Sequence, residues 1–328
     1  MTAFVIRRVF QSVLVLLAVA LIAFALFNYV GDPINNMVGQ DTTPAERVQL
    51  RHELGLDQSF IVQFARFVGH AAQGNFGLSY QQARPVGQII LEKAPATLEL
   101  SFVAAMIALL LGVPMGIYTG LHRRSLVSQA MLTGSLIGIS LPTFLIGILL
   151  ILIFAVVLGW LPSFGRGPVV HIGWWSTGLL TAGGWRAIIL PAITLALFQM
   201  TLIMRLVRAE MIEVLRTDYI KFARARGLSN RAVHFGHALK NTLVPVITVT
   251  GIQLGAVIAF AVVTETVFQW PGMGLMFIQA VTFADIPVMA AYLVLVGAFF
   301  VVINLVVDLL YYVVDPRLRI EREHTAGG

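Results

Sequence analysis

The sequence contains no cysteine among its 328 residues. This absence excludes disulfide bridges, thiolate metal sites and cysteine nucleophiles, and it leaves the redox compartment undetermined. The pair His52-Glu53 lacks the second histidine of a zinc-binding His-Glu-x-x-His helix, and no Gly-x-x-x-x-Gly-Lys-Ser/Thr loop for nucleotide phosphates is present. We therefore expect no catalytic residue, no metal and no cofactor bound by this chain.

Charge is also scarce, since only 12% of the residues are charged whereas 58% are hydrophobic and the mean hydropathy is +0.86. This composition excludes an ordinary water-soluble domain and places the chain in a bilayer. The net charge of +6 and the pI near 10.0 do not require nucleic acid as a partner, because cations between membrane spans serve to set topology.

Six apolar runs are long enough to cross about 30 Å of hydrocarbon at about 1.5 Å per residue. They lie near 9–30, 97–121, 129–159, 187–208, 243–268 and 288–314. The fold predicted is therefore an all-α integral membrane protein with six transmembrane helices in one domain, residues 1–328. The first run is longer than the apolar region of a usual signal sequence, so we read it as a retained span. The third run is overlong and contains Pro142, which predicts a kink or a broken helix.

The distribution of cations gives the orientation. If the N-terminus is inside, the inner segments carry most of the cations outside one long loop: Arg7, Arg8, Arg123, Arg124, the cluster in 205–240, Arg317, Arg319 and Arg322. Both termini are accordingly predicted to be cytoplasmic.

Two segments are then external. The long loop 31–94 contains Thr43-Pro44-Ala45-Glu46, which is a capping box and predicts a helix that ends at Gly55. A second helix is expected after Asp57 or Ser59, with an aromatic stripe suited to the membrane face or a neighbouring subunit. A packed external cap and direct solute contact both remain open. The loop 160–186 is rich in glycine and tryptophan and reads as an interfacial aromatic belt, with stacking on a solute as the alternative.

The segment 209–241 stays outside the membrane between the fourth and fifth spans and combines cations with apolar groups. Good helix formers over 209–226 predict one helix, Gly227 its end, and Ser229 the cap of a second, shorter helix. Topology explains the cations, but it does not explain apolar side chains such as Tyr219 and Leu228 in water. Docking into a partner's groove, a self-packed loop and a surface for lipid headgroups remain open.

Four groups of residues in and just after this segment carry a family resemblance: Asp218-Tyr219, Ala223-Arg224-Ala225-Arg226-Gly227-Leu228, His237-Ala238-Leu239-Lys240-Asn241 and Pro245. Together they resemble the cytoplasmic coupling loop of ABC-importer permeases of the dipeptide/oligopeptide/nickel class. The resemblance extends over nearly the whole chain. Its other motifs are Gly31-Asp32-Pro33, Leu54-Gly55-Leu56-Asp57, Gly74-Asn75-Phe76-Gly77-Leu78-Ser79, Pro95-Ala96-Thr97-Leu98-Glu99-Leu100, Thr264-Glu265-Thr266-Val267-Phe268-Gln269-Trp270-Pro271-Gly272-Met273-Gly274, Asn304-Leu305-Val306-Val307-Asp308-Leu309-Leu310-Tyr311 and Asp315-Pro316-Arg317.

The resemblance implies one half of a two-permease pore in the bacterial cytoplasmic (inner) membrane. Its partners would be a second homologous permease, two ATP-binding-cassette ATPase subunits that hold ATP and Mg, a solute-binding protein and the lipid bilayer, without nucleic acid. The residues implied in ATPase coupling are Asp218, Tyr219, Ala223, Arg224, Ala225, Gly227 and Leu228. The sequence departs from the general importer pattern of Glu-Ala-Ala followed four residues later by Gly, because those places hold Lys221, Phe222 and Ala223 before Gly227.

Polar residues near the span ends supply candidates for a gate or solute pathway: Glu265, Gln269, Asn304 and Asp308. Asp308 lies four residues beyond Asn304 on the same face of a predicted helix. An aspartate at membrane depth costs about 2.5–3.5 kcal/mol on insertion scales, so it should face protein or water. A structural ion pair and a gate role both remain open for Asp308. Glu265 precedes a Trp-Pro-Gly turn that we expect to fold back as a short re-entrant piece.

Two other function classes compete with the importer permease. A stand-alone secondary transporter or channel would favour repeated halves and ionisable groups near the membrane centre. An intramembrane enzyme would need a catalytic arrangement that we do not find. The transported solute is not readable from the sequence: dipeptides, oligopeptides, glutathione, opines and nickel chelates are all open, as is a hetero- or homodimeric pore.

Overall fold

The computed structural model describes residues 2–29, 43–53 and 57–314, and these are mainly helical. The α-helices are α1 (Thr2–Tyr29), α2 (Pro44–Glu53), α3 (Phe60–Ala72), α4 (Val86–Leu121), α5 (Leu126–Ser140), α6 (Thr143–Leu150), α7 (Ala182–Val214), α8 (Asp218–Ala225), α9 (Leu239–Val267), α10 (Met273–Thr282) and α11 (Ile286–Val314). Two π-helical segments, Ile151–Val157 and Ala232–Ala238, follow α6 and precede α9. The motif Gly31-Asp32-Pro33, the expected helix end at Gly55 and the motif Asp315-Pro316-Arg317 lie outside the described residues.

Four helices of the described residues are long and apolar enough to cross a membrane. They are the segments Ile6–Ala25, Val86–Leu121, Ala182–Val214 and Ile286–Val307, and a fifth span results if the bent pair formed by α5 and the helix after it counts as one. The predicted span 243–268 lies on α9, of which only Gly255–Val267 appears among the shorter apolar helices. The expectation of a multi-pass helical membrane protein is thus confirmed, whereas the count of six spans stays a prediction.

The third predicted span breaks at Pro142. Helix α5 ends at Ser140 and α6 begins at Thr143, because proline disfavours the helical conformation at the residue before it and cannot donate a backbone hydrogen bond. The two helical pieces are inclined by 110°. The broken helix expected from Pro142 is therefore confirmed.

Helices α4 and α7 form the centre of the fold and approach each other through glycines spaced by four residues. A Cβ atom added to Gly116 would lie 2.6 Å from Cβ of Val207 and 2.7 Å from the carbonyl oxygen of Met204. At Gly112 and Gly120 the nearest atoms of α7 would lie 3.0 and 3.1 Å away. Small residues at this spacing allow helix backbones to pack closely in a membrane.

The capping box predicted at the start of α2 is present. The backbone N–H of Thr43 donates to Oε2 of Glu46 over 2.9 Å, and the N–H of Glu46 donates to Oγ1 of Thr43 over 3.4 Å. These hydrogen bonds satisfy two backbone donors that a helix N-terminus leaves free. They also lower the pKa of Glu46, chiefly through the backbone hydrogen bond from Thr43.

The aromatic stripe of α3 packs on the chain's own first helix. The ring centroid of Phe24 in α1 lies 5.1 Å from that of Phe60, 5.5 Å from that of Phe64 and 5.6 Å from that of Phe67. The stripe thus contacts α1, but Phe60 stays 41% exposed, and contact with the membrane face or a neighbouring subunit stays a prediction. Phe24 is only 3% exposed, so its contacts with the three rings help to hold α3 against α1.

The loop before α4 is attached to the turn between α10 and α11. The buried carboxylate of Asp285 accepts hydrogen bonds from the hydroxyl of Ser79 and from the backbone N–H groups of Tyr80 (3.1 Å) and Gln81 (3.3 Å). A carboxylate taken out of water needs several donors of this kind. The loop before α4 is thus anchored to a turn about 200 residues further along the chain.

The tryptophan-rich loop contains a short antiparallel hairpin, which departs from the all-α expectation. Strands β1 (Val170–Ile172) and β2 (Trp175–Thr177) pair with Ile172 opposite Trp175. Gly173 opens the connecting turn with a φ of +61°, a conformation that glycine adopts without strain. Strands of three residues are too short to give a readable alternation in the sequence.

Candidate functional site

Residues 215–238, which we call the elbow, connect α7 to α9. A turn at 215–217 separates α7 from α8, so the prediction of one helix over 209–226 is wrong. The hydroxyl of Thr217 donates to the carbonyl oxygen of Val214 over 2.6 Å, and Thr217 has the extended backbone of an N-cap residue. Side-chain bonds of this kind compete with the helical ladder and favour a new helix start.

The end of α8 follows the prediction for Gly227. This residue has a φ of +77°, and its N–H donates to the carbonyl oxygen of Arg224 over 2.9 Å. A left-handed residue after the last turn is a common helix end. Ser229 then begins the next helical segment, with Oγ accepting from the N–H of Ala232 over 3.3 Å. The elbow is therefore two short helices joined at a glycine.

One face of the elbow is buried. Ile220, Ala223, Val233 and Ala238 form a cluster with Met211 of α7, and Ile220 and Val233 have no exposed surface. Burial of apolar side chains holds the elbow on the end of α7. The elbow is therefore a packed structure rather than a free loop.

The opposite face presents large apolar side chains to its surroundings. Phe222 is 64% exposed and Phe235 is 53% exposed, and both Tyr219 and Leu228 are 41% exposed. The guanidinium carbon of Arg226 lies 5.8 Å from the ring centroid of Phe222, so the face is cationic as well as apolar. Exposed groups of this size and mixture mark interaction surfaces.

Polar contacts tie the exposed face to its neighbours. The amide Nδ2 of Asn241 donates to the hydroxyl oxygen of Tyr219 over 2.7 Å, which joins α8 to the first turn of α9. Lys221 donates to Asp218 over 2.8 Å, and this hydrogen bond holds the pKa of Asp218 below its usual value. The elbow thus contacts both α7 and α9, the helices that it connects.

The residues implied in coupling fall on both faces. Ala223 is buried on the inner face, where it packs and cannot present its side chain to a partner. The exposed ones are Asp218, Tyr219, Arg224, Ala225, Gly227 and Leu228. Coupling through these residues stays a prediction.

A cavity of about 800 Å³ opens between α4, α9, α11 and the hairpin. Its walls are mainly aliphatic, but Glu99, Ser101 and Thr250 also line it. Ser101 and Thr250 are buried, and their hydroxyl oxygens have no hydrogen-bond partner within the described part of the chain. Buried polar atoms without partners are uncommon and are found where a ligand or water can supply the missing bond.

A buried ion pair lies at one end of this cavity. Arg166 donates from Nη2 to Oε2 of Glu99 over 2.6 Å, and the side chains are 7% and 4% exposed. Arg166 also donates from Nη1 to the hydroxyl of Ser176 (2.9 Å) and from Nη2 to its carbonyl oxygen (2.6 Å). Glu99 accepts from Nε1 of Trp175 and from the N–H of Gly178, both over 3.3 Å.

This pair attaches β2 to the N-terminal half of α4, and sequence reasoning missed it. Glu99 belongs to a motif of the family resemblance that assigns it no role, and Arg166 lies in the glycine- and tryptophan-rich loop 160–186. An acid inside a predicted span and a cation in a glycine-rich loop were the available signals. Nothing in the sequence pairs two residues 67 positions apart.

Glu265 is enclosed at the junction of α4, α9 and α10. It has no exposed surface. Thr97 donates to its Oε1 over 2.5 Å, and the N–H of Leu275 donates to its Oε2 over 2.9 Å. The Thr97 hydroxyl also accepts from the N–H of Met273 over 2.7 Å. The Trp-Pro-Gly turn therefore leads into a short helix whose first turn binds this carboxylate.

Glycines make this enclosure possible. A Cβ atom on Gly272 would lie 2.3 Å from Oε1 of Glu265, and one on Gly274 would lie 2.9 Å from Oε2. Both distances are too short for a side chain. Glu265 does not line the 800 Å³ cavity, and a gate role for it stays a prediction.

The other gate candidates are not brought together. Gln269 has a φ of +46°, and its amide donates to the carbonyl oxygen of Thr266 over 2.8 Å. Asn304 lines a cleft of about 140 Å³ with Arg8 and other residues of α1 and α11. The side chain of Asp308 lies outside the described part. Their gate roles stay predictions.

Comparison with known families supplies an independent finding. The sequence model of a family described as "Binding-protein-dependent transport system inner membrane component" matches residues 112–320. A second model, "Binding-prot-dependent transport system membrane comp, N-term", matches residues 1–101. The two matches cover nearly the whole chain.

Relatives agree with these matches. The chain is 39% identical to the "Di/tripeptide transport system permease protein DppB" of Pseudomonas aeruginosa (98% of this chain, 100% of the relative). It is 34% identical to the "Oligopeptide transport system permease protein AppB" of Bacillus subtilis and 35% identical to the "Glutathione transport system permease protein GsiC" of Salmonella paratyphi A, in both cases over 97% of this chain and 99% of the relative. A solved structure of the inward-facing MetNI methionine ABC transporter matches with a TM-score of 0.53 at 20% identity (69% of this chain, 96% of that chain), which supports the fold alone.

Proposed function

Because this chain belongs to the family of binding-protein-dependent transport system inner membrane components, we propose that its elbow is the docking site of an ATPase subunit. The chain is a multi-pass inner-membrane permease subunit of an importer, and not an enzyme. The proposal assigns to separate subunits the ATP hydrolysis that drives uptake, together with their ATP and Mg.

The exposed apolar face of the elbow carries this proposal. Four large side chains, Tyr219, Phe222, Leu228 and Phe235, stay exposed although the other face of the same segment is fully packed. A groove on an ATPase would remove these groups from water. Arg224 and Arg226 beside them favour acidic residues at the rim of that groove.

The contacts of the elbow provide a route for force. Its buried face packs on Met211 of α7, and Tyr219 accepts a hydrogen bond from Asn241 of α9. When two ATPases close on nucleotide, a docked elbow moves with them and tilts both helices. Such differential contact in two states is what alternating access requires.

Co-purification tests the docking directly. The double variant Tyr219→Asp/Leu228→Asp places two charges in the proposed contact and should abolish recovery of the ATPase subunits with the tagged permease. The matched control is Ile172→Asp, which adds a charge at an exposed position of the external hairpin. Recovery of the ATPases with the double variant at the wild-type ratio would show that they dock elsewhere.

We further propose that the solute passes through the 800 Å³ cavity. The residues that line this cavity form one side of the pathway, and a second homologous permease forms the other side. The apolar lining of the cavity accepts varied side chains, while the unpartnered hydroxyls of Ser101 and Thr250 offer hydrogen bonds. The relatives named above transport di- or tripeptides, oligopeptides and glutathione, so the solute proposed is peptide-like. The topology proposed keeps both termini in the cytoplasm.

Transport assays on the reconstituted complex test the solute class. Uptake of a labelled dipeptide should require ATP, the second permease and the solute-binding protein, and should be inhibited by unlabelled di- and tripeptides. If only a nickel chelate competed, the peptide assignment would be wrong. If the purified chain alone moved solute along an ion gradient, a secondary transporter would replace the importer.

A further inference from the structure

A second cavity, of about 540 Å³, lies between the loop that joins α4 to α5 and the elbow. Four arginines line it together with His122. Arg123 and Arg124 come from the α4–α5 loop, whereas Arg216 and Arg224 come from the elbow. We call this space the basic cavity. Apart from Arg224, the residues that line it have no role in the docking proposal above.

The positive charge of the basic cavity is not neutralised by the described residues. None of their carboxylates forms an ion pair with any of the four arginines. The pKa of the neighbouring His234 lies below its usual value, chiefly because the ring is partly buried and also because Arg224 and His122 are close to it. A ligand that fits this cavity must therefore be anionic.

The position of the cavity selects the kind of anion. Helix α4 ends at Leu121 and α5 begins at Leu126, and both belong to candidate membrane spans. We therefore place the loop between them at the level of the lipid headgroups. Leu126 is 81% exposed and Val127 is half exposed. An anionic site next to unpacked aliphatic side chains matches a molecule that carries a phosphate beside acyl chains.

We propose that the basic cavity binds the headgroup phosphate of an anionic phospholipid from the cytoplasmic leaflet. The guanidinium groups bind the phosphate oxygens, and the acyl chains cover Leu126 and Val127. Because Arg216 and Arg224 belong to the elbow, the bound lipid joins the elbow to the α4–α5 loop. This phospholipid is then bound at a specific site of the permease, whereas the other lipids only form the bilayer around it.

Native mass spectrometry of the complete complex tests this site. The complex is placed in nanodiscs of phosphatidylethanolamine that contain increasing fractions of phosphatidylglycerol, and the retained phosphatidylglycerol is counted. The variant Arg123→Gln/Arg124→Gln should retain it about thirtyfold more weakly, since each arginine near an anionic surface contributes about fivefold. The matched control Arg231→Gln/Lys240→Gln removes two exposed cations that do not line the cavity and should retain it like the wild type.

Further arms separate the alternatives. Arg123→Lys/Arg124→Lys should keep most of the retention, which shows that the loss in the glutamine variant is due to charge and not to misfolding. Equal retention by the wild type and the glutamine variant overturns the proposal. Inorganic phosphate is added to the complex in nanodiscs of pure phosphatidylethanolamine. If the wild type then carries a phosphate adduct that the glutamine variant lacks, and phosphatidylglycerol retention is the same in both, the cavity binds free phosphate. Loss of the ATPase subunits from that variant at unchanged lipid retention assigns it to an acidic protein surface; either result overturns the lipid assignment.

Discussion

Removal of Arg166 should release the hairpin of β1 and β2 from α4. In the variant Arg166→Met the carboxylate of Glu99, 4% exposed, loses its charge partner. Its two other donors, Trp175 and Gly178, stand at 3.3 Å. The carbonyl oxygen and hydroxyl of Ser176 lose their donors in the same step. The damage is therefore concentrated on β2.

The size of the effect follows from the burial of the pair. Removing one partner of a buried ion pair costs about 3–5 kcal/mol, because the remaining charge stays out of water without compensation. If this cost falls on local opening of the hairpin, amide exchange in the hairpin should accelerate by about 100-fold to about 4,000-fold.

Hydrogen exchange measured by mass spectrometry on the purified permease gives this quantity for the peptides that cover β1 and β2. The double variant Glu99→Gln/Arg166→Met removes both charges and should recover most of the protection, as in a double-mutant cycle of a coupled pair. Arg84→Gln, which removes an exposed ion pair with Glu92, should leave exchange in the hairpin unchanged.

Two results would refute this reasoning. Wild-type exchange in Arg166→Met would mean that the ion pair does not hold the hairpin. Equal loss of protection in the single and the double variant would mean that packing of the arginine, and not its charge, is what the hairpin needs.

Other substitutions test the remaining contacts. Gly272→Ala places a Cβ 2.3 Å from Oε1 of Glu265 and should lower the free energy of chemical unfolding by about 1–3 kcal/mol. The control Gly134→Ala, whose Cβ would have no atom within 4 Å, should leave it unchanged, and equal unfolding midpoints of the two variants would contradict the close packing around Glu265. Gly227→Ala should cost about 1–2 kcal/mol through its φ of +77° alone, seen as faster proteolysis within the elbow, and an unchanged cleavage rate would contradict this. Thr97→Val removes the hydroxyl that binds the Glu265 carboxylate and should cost about 1–3 kcal/mol, with recovery in Thr97→Ser; a valine variant as stable as the wild type would exclude this role.

Features that depend on neighbours in sequence were predictable. The capping box of Thr43 and Glu46, the break at Pro142 and the left-handed Gly227 each involve residues within four positions of one another. Their chemistry is fixed by local backbone geometry, and so the sequence alone is sufficient.

Features that depend on distant contacts were not predictable. Helix propensity favoured an unbroken helix through 215–217, but the hydroxyl of Thr217 and the packing of Ile220 on Met211 decide otherwise. The sequence also did not indicate that Glu265 accepts a hydrogen bond from Thr97, 168 residues away. One sequence without structure contains no signal for such pairs.

The contact between α4 and α7 through Gly112, Gly116 and Gly120 determines where the permease can bend. Helices that pack this closely have no intervening layer of large side chains that could rearrange, so α4 and α7 should move together as one rigid body. Rotation of this pair must then be taken up beyond its contact, in the loop at 122–125 that joins α4 to α5. A small molecule designed to inhibit this transporter should therefore bind at that loop, because the contact between α4 and α7 leaves no space for it.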